Sequence, residues 1–452
     1  MKTITFRLMA VCYAVATVLA LACAPLAGAQ AGTSRSSTAI DPADVATEWF
    51  QLQLQLVQQT PGFSPPVASR AFGYSGVTLY ESVVYGMPGY QSLAGQLNDL
   101  TELVQPSPVL EYHWAIAANS ALATMTRLLF PTASEENQDR IDALYTQFAN
   151  RYREALDTDI FDRSEAHGKA TAIAIFKWSQ TDGGHEGYMR SFPSDYVAPV
   201  AAGLWTPTPR TEGDPQSALL PYWGENRTFM PESSDECMPE APPAYSEDAG
   251  SAFYTEAMEV YQTGQSLTEE QTEIALFWSD DPGKTATPPG HTVSILTQIL
   301  RHEEASLAFA AEAYAKLGIA VADSFIGCWK AKYEYNLVRP ATYIQQSIEE
   351  TWVPILNTPP FPEYPSGHSV QIGAAEVVLT GLFGDAYAFT DYTHDDMGLA
   401  TRSFGSFSAM AEEAALSRLY GGIHFRSAID FGLDQGRCIG GKVDTLVFRA
   451  ET

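Results

Sequence analysis

Three segments toward the C-terminus carry residues able to hold and act on a small oxyanion. The first, Lys332-Tyr-Glu-Tyr-Asn-Leu-Val-Arg339-Pro340, places two cations seven residues apart. Seven residues are about two helical turns, so the spacing predicts both cations on one helical face. The second, Phe361-Pro-Glu-Tyr-Pro-Ser-Gly-His368, reads as a rigid loop entering a helix. Its prolines fix their own φ and press the preceding residues into extended conformations. Ser366 takes the N-cap position before an apolar run from Val370 to Leu379, and Gly384 stands where that helix should stop. A helix start offers free N–H groups and a partial positive charge to an anion. Gly367 permits close backbone approach and His368 adds a titratable ring. The third segment, Ser417-Arg418-Leu-Tyr-Gly-Gly422-Ile-His424, supplies a second Arg and a second His.

A capping Ser or a turn Gly is common, and no one segment is specific. Together they bring two Arg, one Lys, two His, a hydroxyl and Gly amides into an otherwise acidic chain. Arg forks bind tetrahedral oxyanions bidentately and Lys adds a point charge. One His can bond to the central atom while the other moves protons. Lys-x6-Arg-Pro, Pro-Ser-Gly-His and Ser-Arg-x5-His resemble, in order and spacing, the three segments of the vanadium-dependent haloperoxidase and type 2 phosphatidic acid phosphatase superfamily. Between them lie 24 residues from Pro340 to Pro365 and 48 from His368 to Ser417. The resemblance covers roughly the last quarter of the chain.

Position by position, the resemblance implies vanadate as cofactor, bonded to the protein through His424. Lys332, Arg339 and Arg418 would neutralise the vanadate oxygens, with Ser366 and the Gly367 amide as further donors. His368 would be the acid–base catalyst and Lys332 would polarise bound peroxide towards halide, while the metal keeps its oxidation state as a Lewis acid. Hydrogen peroxide, halide and small organic molecules are then the expected partners, with hypohalous acid or its equivalent as product. The competing reading, an acid phosphatase of the same superfamily working through a phosphohistidine at His424, uses the same residues. Trp329 and Phe361 resemble the aromatic residues beside vanadate in chloroperoxidases, and the long N-terminal helical part resembles haloperoxidases more than compact phosphatases. A non-catalytic oxyanion-binding protein would keep the cations but has no need of His368. The family pattern often carries Asp four residues after the metal-binding His; here that position is Ala428, and the nearest acid, Asp430, would point elsewhere on a helix. The ring acceptor behind His424 is therefore not identified.

The elements that must position these residues are helical almost throughout. Helical spacing covers 42–59, 68–86, 109–129, 135–156, 164–179, 253–263, 268–278 and 290–316, and period-two alternation is nearly absent. Residues 190–249, rich in Pro, Gly and acids, break the pattern and read as disordered, as a structured loop over something functional, or as a partial lid. The expected fold is all-α, with two packed bundle-like halves at 30–189 and 250–452 and the anion site at helix ends in the second.

Residues 1–29 read as a secretory leader: Lys2 and Arg7 precede an apolar Leu8–Ala22 stretch, and Ala27-Gly28-Ala29 offers a cleavage site. Lipidation at Cys23 is the weaker alternative. The protein is expected to be secreted or periplasmic and not membrane-spanning. Loss of Lys2 and Arg7 takes the net charge from −28 to −30, against nucleic acid and anionic membranes as partners. Oligomerisation is left open. Cys237, Cys328 and Cys438 remain, enough for one disulfide and one thiol. Trp278-Ser-Asp-Asp-Pro, Pro288-Pro-Gly-His291 and the turn from Trp178 to His185 are candidate channel linings or packed caps in equal measure. His113, His167 and His394 lack partners at ligand spacing and read as structural or surface residues. Asp323 is a distant ion partner for Lys332 or a solvated helical residue.

Overall fold

In the computed structural model, which describes residue 38, residues 41–207 and residues 217–450, fourteen α-helices carry the architecture. The leader-like segment 1–29 lies outside the described residues. The helices are α1 (Asp44–Gln59), α2 (Pro65–Val83), α3 (Trp114–Leu129), α4 (Glu135–Arg153), α5 (Thr158–Ser179), α6 (Ser233–Glu236), α7 (Ala252–Gln265), α8 (Glu269–Phe277), α9 (Thr287–His302), α10 (Leu307–Tyr335), α11 (Pro340–Ser347), α12 (Gly367–Phe383), α13 (Phe407–Tyr420) and α14 (Arg426–Asp444). Among the described residues, strand is confined to one short antiparallel pair, β1 (Phe389–Asp391) and β2 (Arg402–Phe404). The fold is all-α. No described helix is long and apolar enough to cross a membrane.

At the centre lies α10, buried on all sides for most of its 29 residues. Its alanines and Gly318 leave no bulky ridge, so α2 packs directly along it. A Cβ on Gly76 of α2 would sit 2.3 Å from the Tyr314 carbonyl, and one on Gly318 would sit 2.7 Å from that of Phe72. Only glycine allows two backbones to approach this closely. On the far side α10 meets α12, which packs against α14. One continuous apolar core joins residues from Ala43 to Phe448.

The predicted helix 290–316 is two helices. After α9 the chain turns at Glu303–Ala305, with Glu304 at φ 48°, and restarts where the Ser306 side chain accepts from Phe309 N at 3.3 Å. Leu300 and Leu307 fall seven residues apart across the turn, which preserved the apolar period and hid the break.

The non-periodic stretch carries no helix longer than the one-turn α6, yet it is well packed where described. Trp205, Leu219, Trp223, Phe229 and Met230 are buried in it. The Leu219 carbonyl accepts from Trp329 Nε1 (3.2 Å) and Tyr333 Oη (2.7 Å) on α10. Asp323 neither pairs with Lys332 nor meets solvent. It is fully buried and accepts from the Phe229 and Met230 amides (2.7 and 2.8 Å) and the Ser233 hydroxyl (3.0 Å). The end of the stretch is fixed to α14 by a Cys237–Cys438 disulfide, leaving Cys328 as a buried thiol.

Candidate active site

The three cations come from three helix ends. Lys332 lies in the last turn of α10, which closes at Asn336 in the left-handed conformation (φ 51°, ψ 37°). Arg339 is therefore not on the same helix face, as its spacing had suggested. It is the extended residue before α11 (φ −77°, ψ 151°), a conformation favoured by the following Pro340. Arg418 lies in the last turn of α13, and His424 follows the Gly421-Gly422 turn just ahead of α14. Ser366 caps α12 as expected, accepting from Ser369 N at 3.3 Å, and Gly384 ends that helix at φ 98°.

All six polar side chains singled out from the three segments converge here, with Gly367 beside them. Lys332, Arg339, Ser366, Arg418 and His424 are almost wholly buried, and His368 is partly so. A cavity of about 70 Å³ is lined by Trp329, Phe361, Gly367, His368, Arg418 and His424, with Ser279 and Asp281 on one side. A Cβ on Gly367 would meet no atom closer than 3.7 Å, so a side chain there would take up cavity instead of clashing with the core. Lys332, Arg339 and Ser366 sit behind this lining.

Hydrogen bonds hold the cations in place. Lys332 Nζ donates to the carbonyls of Pro362 and Glu363 (both 3.0 Å) and Pro365. Arg339 Nε and Nη1 donate to the Phe361 and Ile423 carbonyls (both 2.9 Å), while Nη2 is buried without a partner. Arg418 donates to Ser417 Oγ (2.9 Å) and the Ala275 carbonyl (3.2 Å). The Phe361 ring faces both Lys332 Nζ at 5.0 Å and the Arg339 guanidinium at 4.9 Å.

Electrostatically the pocket is a set of desolvated cations in need of an anion. Burial, with Arg339 nearby, pushes Lys332 down to about 7, and burial pushes Arg339 and Arg418 down to about 10. His424 is held well below the usual imidazole range by burial, then by Arg339 and Lys332. His368 is held down by burial and Arg418, with Asp280 and a bond to the Trp278 backbone opposing. Both rings are thus neutral in the absence of an anion.

One functional residue was missed: Glu363, inside the quoted loop but assigned no role. Its Oε1 accepts from the Phe425 amide at 2.8 Å and lies 2.9 Å from His424 Nδ1. With the proton on Nδ1, His424 Nε2 keeps its lone pair, and Arg339 Nη1 approaches that nitrogen at 3.3 Å. Ala428 is buried and offers no side-chain acceptor, so Glu363 takes the part that Asp430 could not. A Glu in a Pro-flanked loop, where little else is charged, was the available signal.

Of the other candidates, Pro288 reaches the cavity, but His291 turns away to Asp280 and Asp391. The turn from Trp178 to His185 lies elsewhere, where Asp182 pairs with Arg70 (2.7 Å) and Tyr74 (2.8 Å). His113 and His167 pack against aromatic rings.

The donor set fits vanadate. An imidazole lone pair backed by a carboxylate, an unpartnered buried Arg339 N–H and an unpartnered His368 Nε2 surround a cavity with cationic walls. Residues 312–450 match the family model described as the second helical-bundle domain of vanadium chloroperoxidase. A vanadium chloroperoxidase from Curvularia inaequalis is 27% identical over 187 residues, 34% of this chain and 31% of that protein, so the match spans about a third of that relative. A bacterial vanadium-dependent iodoperoxidase structure superposes with a TM-score of 0.82 at 38% identity, covering 91% of this chain and 98% of that one. A bacterial vanadium-dependent chloroperoxidase in its holo form has the same fold, with a TM-score of 0.66 at 16% identity over 86% and 92% of the two chains.

Proposed function

Since the chain belongs to the vanadium-dependent haloperoxidases, we propose that it oxidises halide with hydrogen peroxide and so halogenates organic nucleophiles. The carrying observation is the buried His424–Glu363 pair facing a cavity of cationic walls. Bound vanadate supplies a Lewis acid that activates peroxide without changing the metal's oxidation state.

The chain's own residues supply the rest. Glu363 holds the His424 Nδ1 proton, leaving Nε2 as the protein ligand. Arg339 and Arg418 stay protonated at neutral pH and, with Lys332, balance the oxyanion charge. The Ser366 hydroxyl and the Gly367 amide, at the start of α12, add donors where the helix dipole favours an anion. His368, held neutral and with Nε2 free of a partner, would accept and return a proton at that nitrogen. Trp329 and Phe361 wall the halide side and exclude water, which strengthens every charge interaction inside.

Iodide is the halide expected first, because the relative with 38% identity is named an iodoperoxidase. Export of the mature chain is part of the same proposal, supported by the leader-like residues 1–29 and by a disulfide, which suits an oxidising compartment.

The test is dye halogenation by purified protein with peroxide, before and after orthovanadate, using chloride, bromide and iodide in turn. Activity that requires vanadate and disappears in His424→Ala is the expected result. Vanadate-inhibited hydrolysis of p-nitrophenyl phosphate without halogenation would overturn it in favour of the phosphohistidine reading.

A further inference from the structure

Behind the strip Trp278–Asp281 lies a second constellation that the oxyanion chemistry does not use. Ser279 and Asp281 face the active-site cavity, whereas Asp280, between them, points the other way. There it meets His291 from α9 and His394 from the turn after β1, and all three are buried. His291 Nδ1 lies 2.9 Å from Asp280 Oδ2, and His394 Nε2 lies 3.2 Å from Asp280 Oδ1. That last contact is close but not aligned as a hydrogen bond, so Asp280 Oδ1 and His394 Nε2 are each buried without a hydrogen-bond partner. One ligand atom from each residue falls within 4.8 Å of the other two.

We infer that Asp280, His291 and His394 bind one divalent transition-metal ion of the zinc class, at a site separate from the oxyanion pocket. Two imidazoles and one carboxylate are a donor set suited to zinc and its neighbours, and three protein ligands leave a position open for water. The surroundings are those of a built site. His291 Nε2 faces Asp391 Oδ2 at 2.7 Å, which makes a carboxylate–histidine pair that fixes the ring and leaves Nδ1 for the ion. Asp391 is itself held by the Thr393 amide (2.9 Å) and hydroxyl (2.7 Å). Trp278 stacks on the His291 ring at 4.6 Å, and Phe277 packs edge-on against both imidazoles. The open side faces a cavity of about 270 Å³ lined by Gln51, Gln55, Ser294 and Asp396, which gives an entry path.

A divalent ion would bring positive charge to the two buried carboxylates Asp280 and Asp391, and ligands give up their protons when the ion binds.

The experiment uses the full, tag-free chain stripped with EDTA. Cobalt(II) is titrated and followed by its visible d–d absorption, then displaced with zinc, with calorimetry in two buffers to count released protons. The expected result is one ion per chain with proton release. Affinity should fall at least about tenfold in Asp280→Asn and His394→Ala, and about ten- to a hundredfold in Asp391→Asn. His424→Ala should leave it unchanged. The wild-type titration decides without any variant: no saturable cobalt spectrum overturns the site. Unchanged binding in His394→Ala, or in the gentler His394→Gln, overturns it equally.

Discussion

His424 Nδ1 and Glu363 Oε1 stand 2.9 Å apart, both buried, across 61 residues of sequence. The same oxygen accepts from the Phe425 amide. One carboxylate thus fixes the tautomer of the ring that would ligate vanadate and the backbone that carries it into α14. Burial pushes Glu363 up to about 8 against the pull of Arg339 and Lys332. Glu363→Gln keeps an acceptor for Nδ1 but removes the group that carries a charge above about 8. Orthovanadate affinity, measured by equilibrium dialysis, should drop about ten- to a hundredfold, with Glu363→Ala losing more. An unchanged affinity in both would remove Glu363 from the site.

Lys332 gives the pocket a pH limit. With its folded pKa lowered to about 7, the ammonium is present below that pH and is lost as pH rises through it. Orthovanadate affinity should therefore fall on the alkaline side of neutrality. Phe361 covers the ammonium at 5.0 Å. Phe361→Ala admits water, relieves the desolvation and raises the Lys332 pKa toward its usual value. Binding measured between about pH 6 and about pH 9 should then persist to higher pH in the variant, whatever its effect on turnover.

Asp323 should make stability depend on pH in the sense opposite to a paired carboxylate. Burial raises it from 3.8 to about 7 although three donors lower it. A raised carboxyl binds more protons folded than unfolded, so its contribution is fully present below the unfolded pKa and is lost as pH rises through about 7. Asp323→Asn should flatten the decline in melting temperature between those two values, read by circular dichroism. A slope equal to that of the wild type would sink this assignment.

The Cys237–Cys438 bond closes a sequence separation of 201 residues. Restraint of so long a loop in the unfolded chain stabilises the fold by about 2 to 5 kcal/mol. The double variant Cys237→Ser/Cys438→Ser should melt lower by a corresponding amount in non-reducing buffer. Cys328, buried and with its thiol pushed up to about 11 by burial, should react with a thiol reagent only on unfolding.

The sequence alone determined the helical class, most helix positions, the capping roles of Ser366 and Gly384 and the residue types of the oxyanion site. These depend on period, propensity and capping chemistry, which act over a few residues and leave a local trace. Tertiary structure decided what depends on chain reversal and packing. A left-handed Asn336 takes Arg339 off the α10 face on which its spacing placed it, and a turn at Glu303–Ala305 divides one apolar pattern into two helices. Glu363 behind His424 and Asp391 behind His291 are pairings across 61 and 100 residues that no period encodes. Asp323 read as a distant ion partner for Lys332 or a solvated helical acid until residues 229–233 folded over it. A buried polar group must find its partner wherever packing brings one, and that choice is made by the whole fold and not by neighbours in sequence.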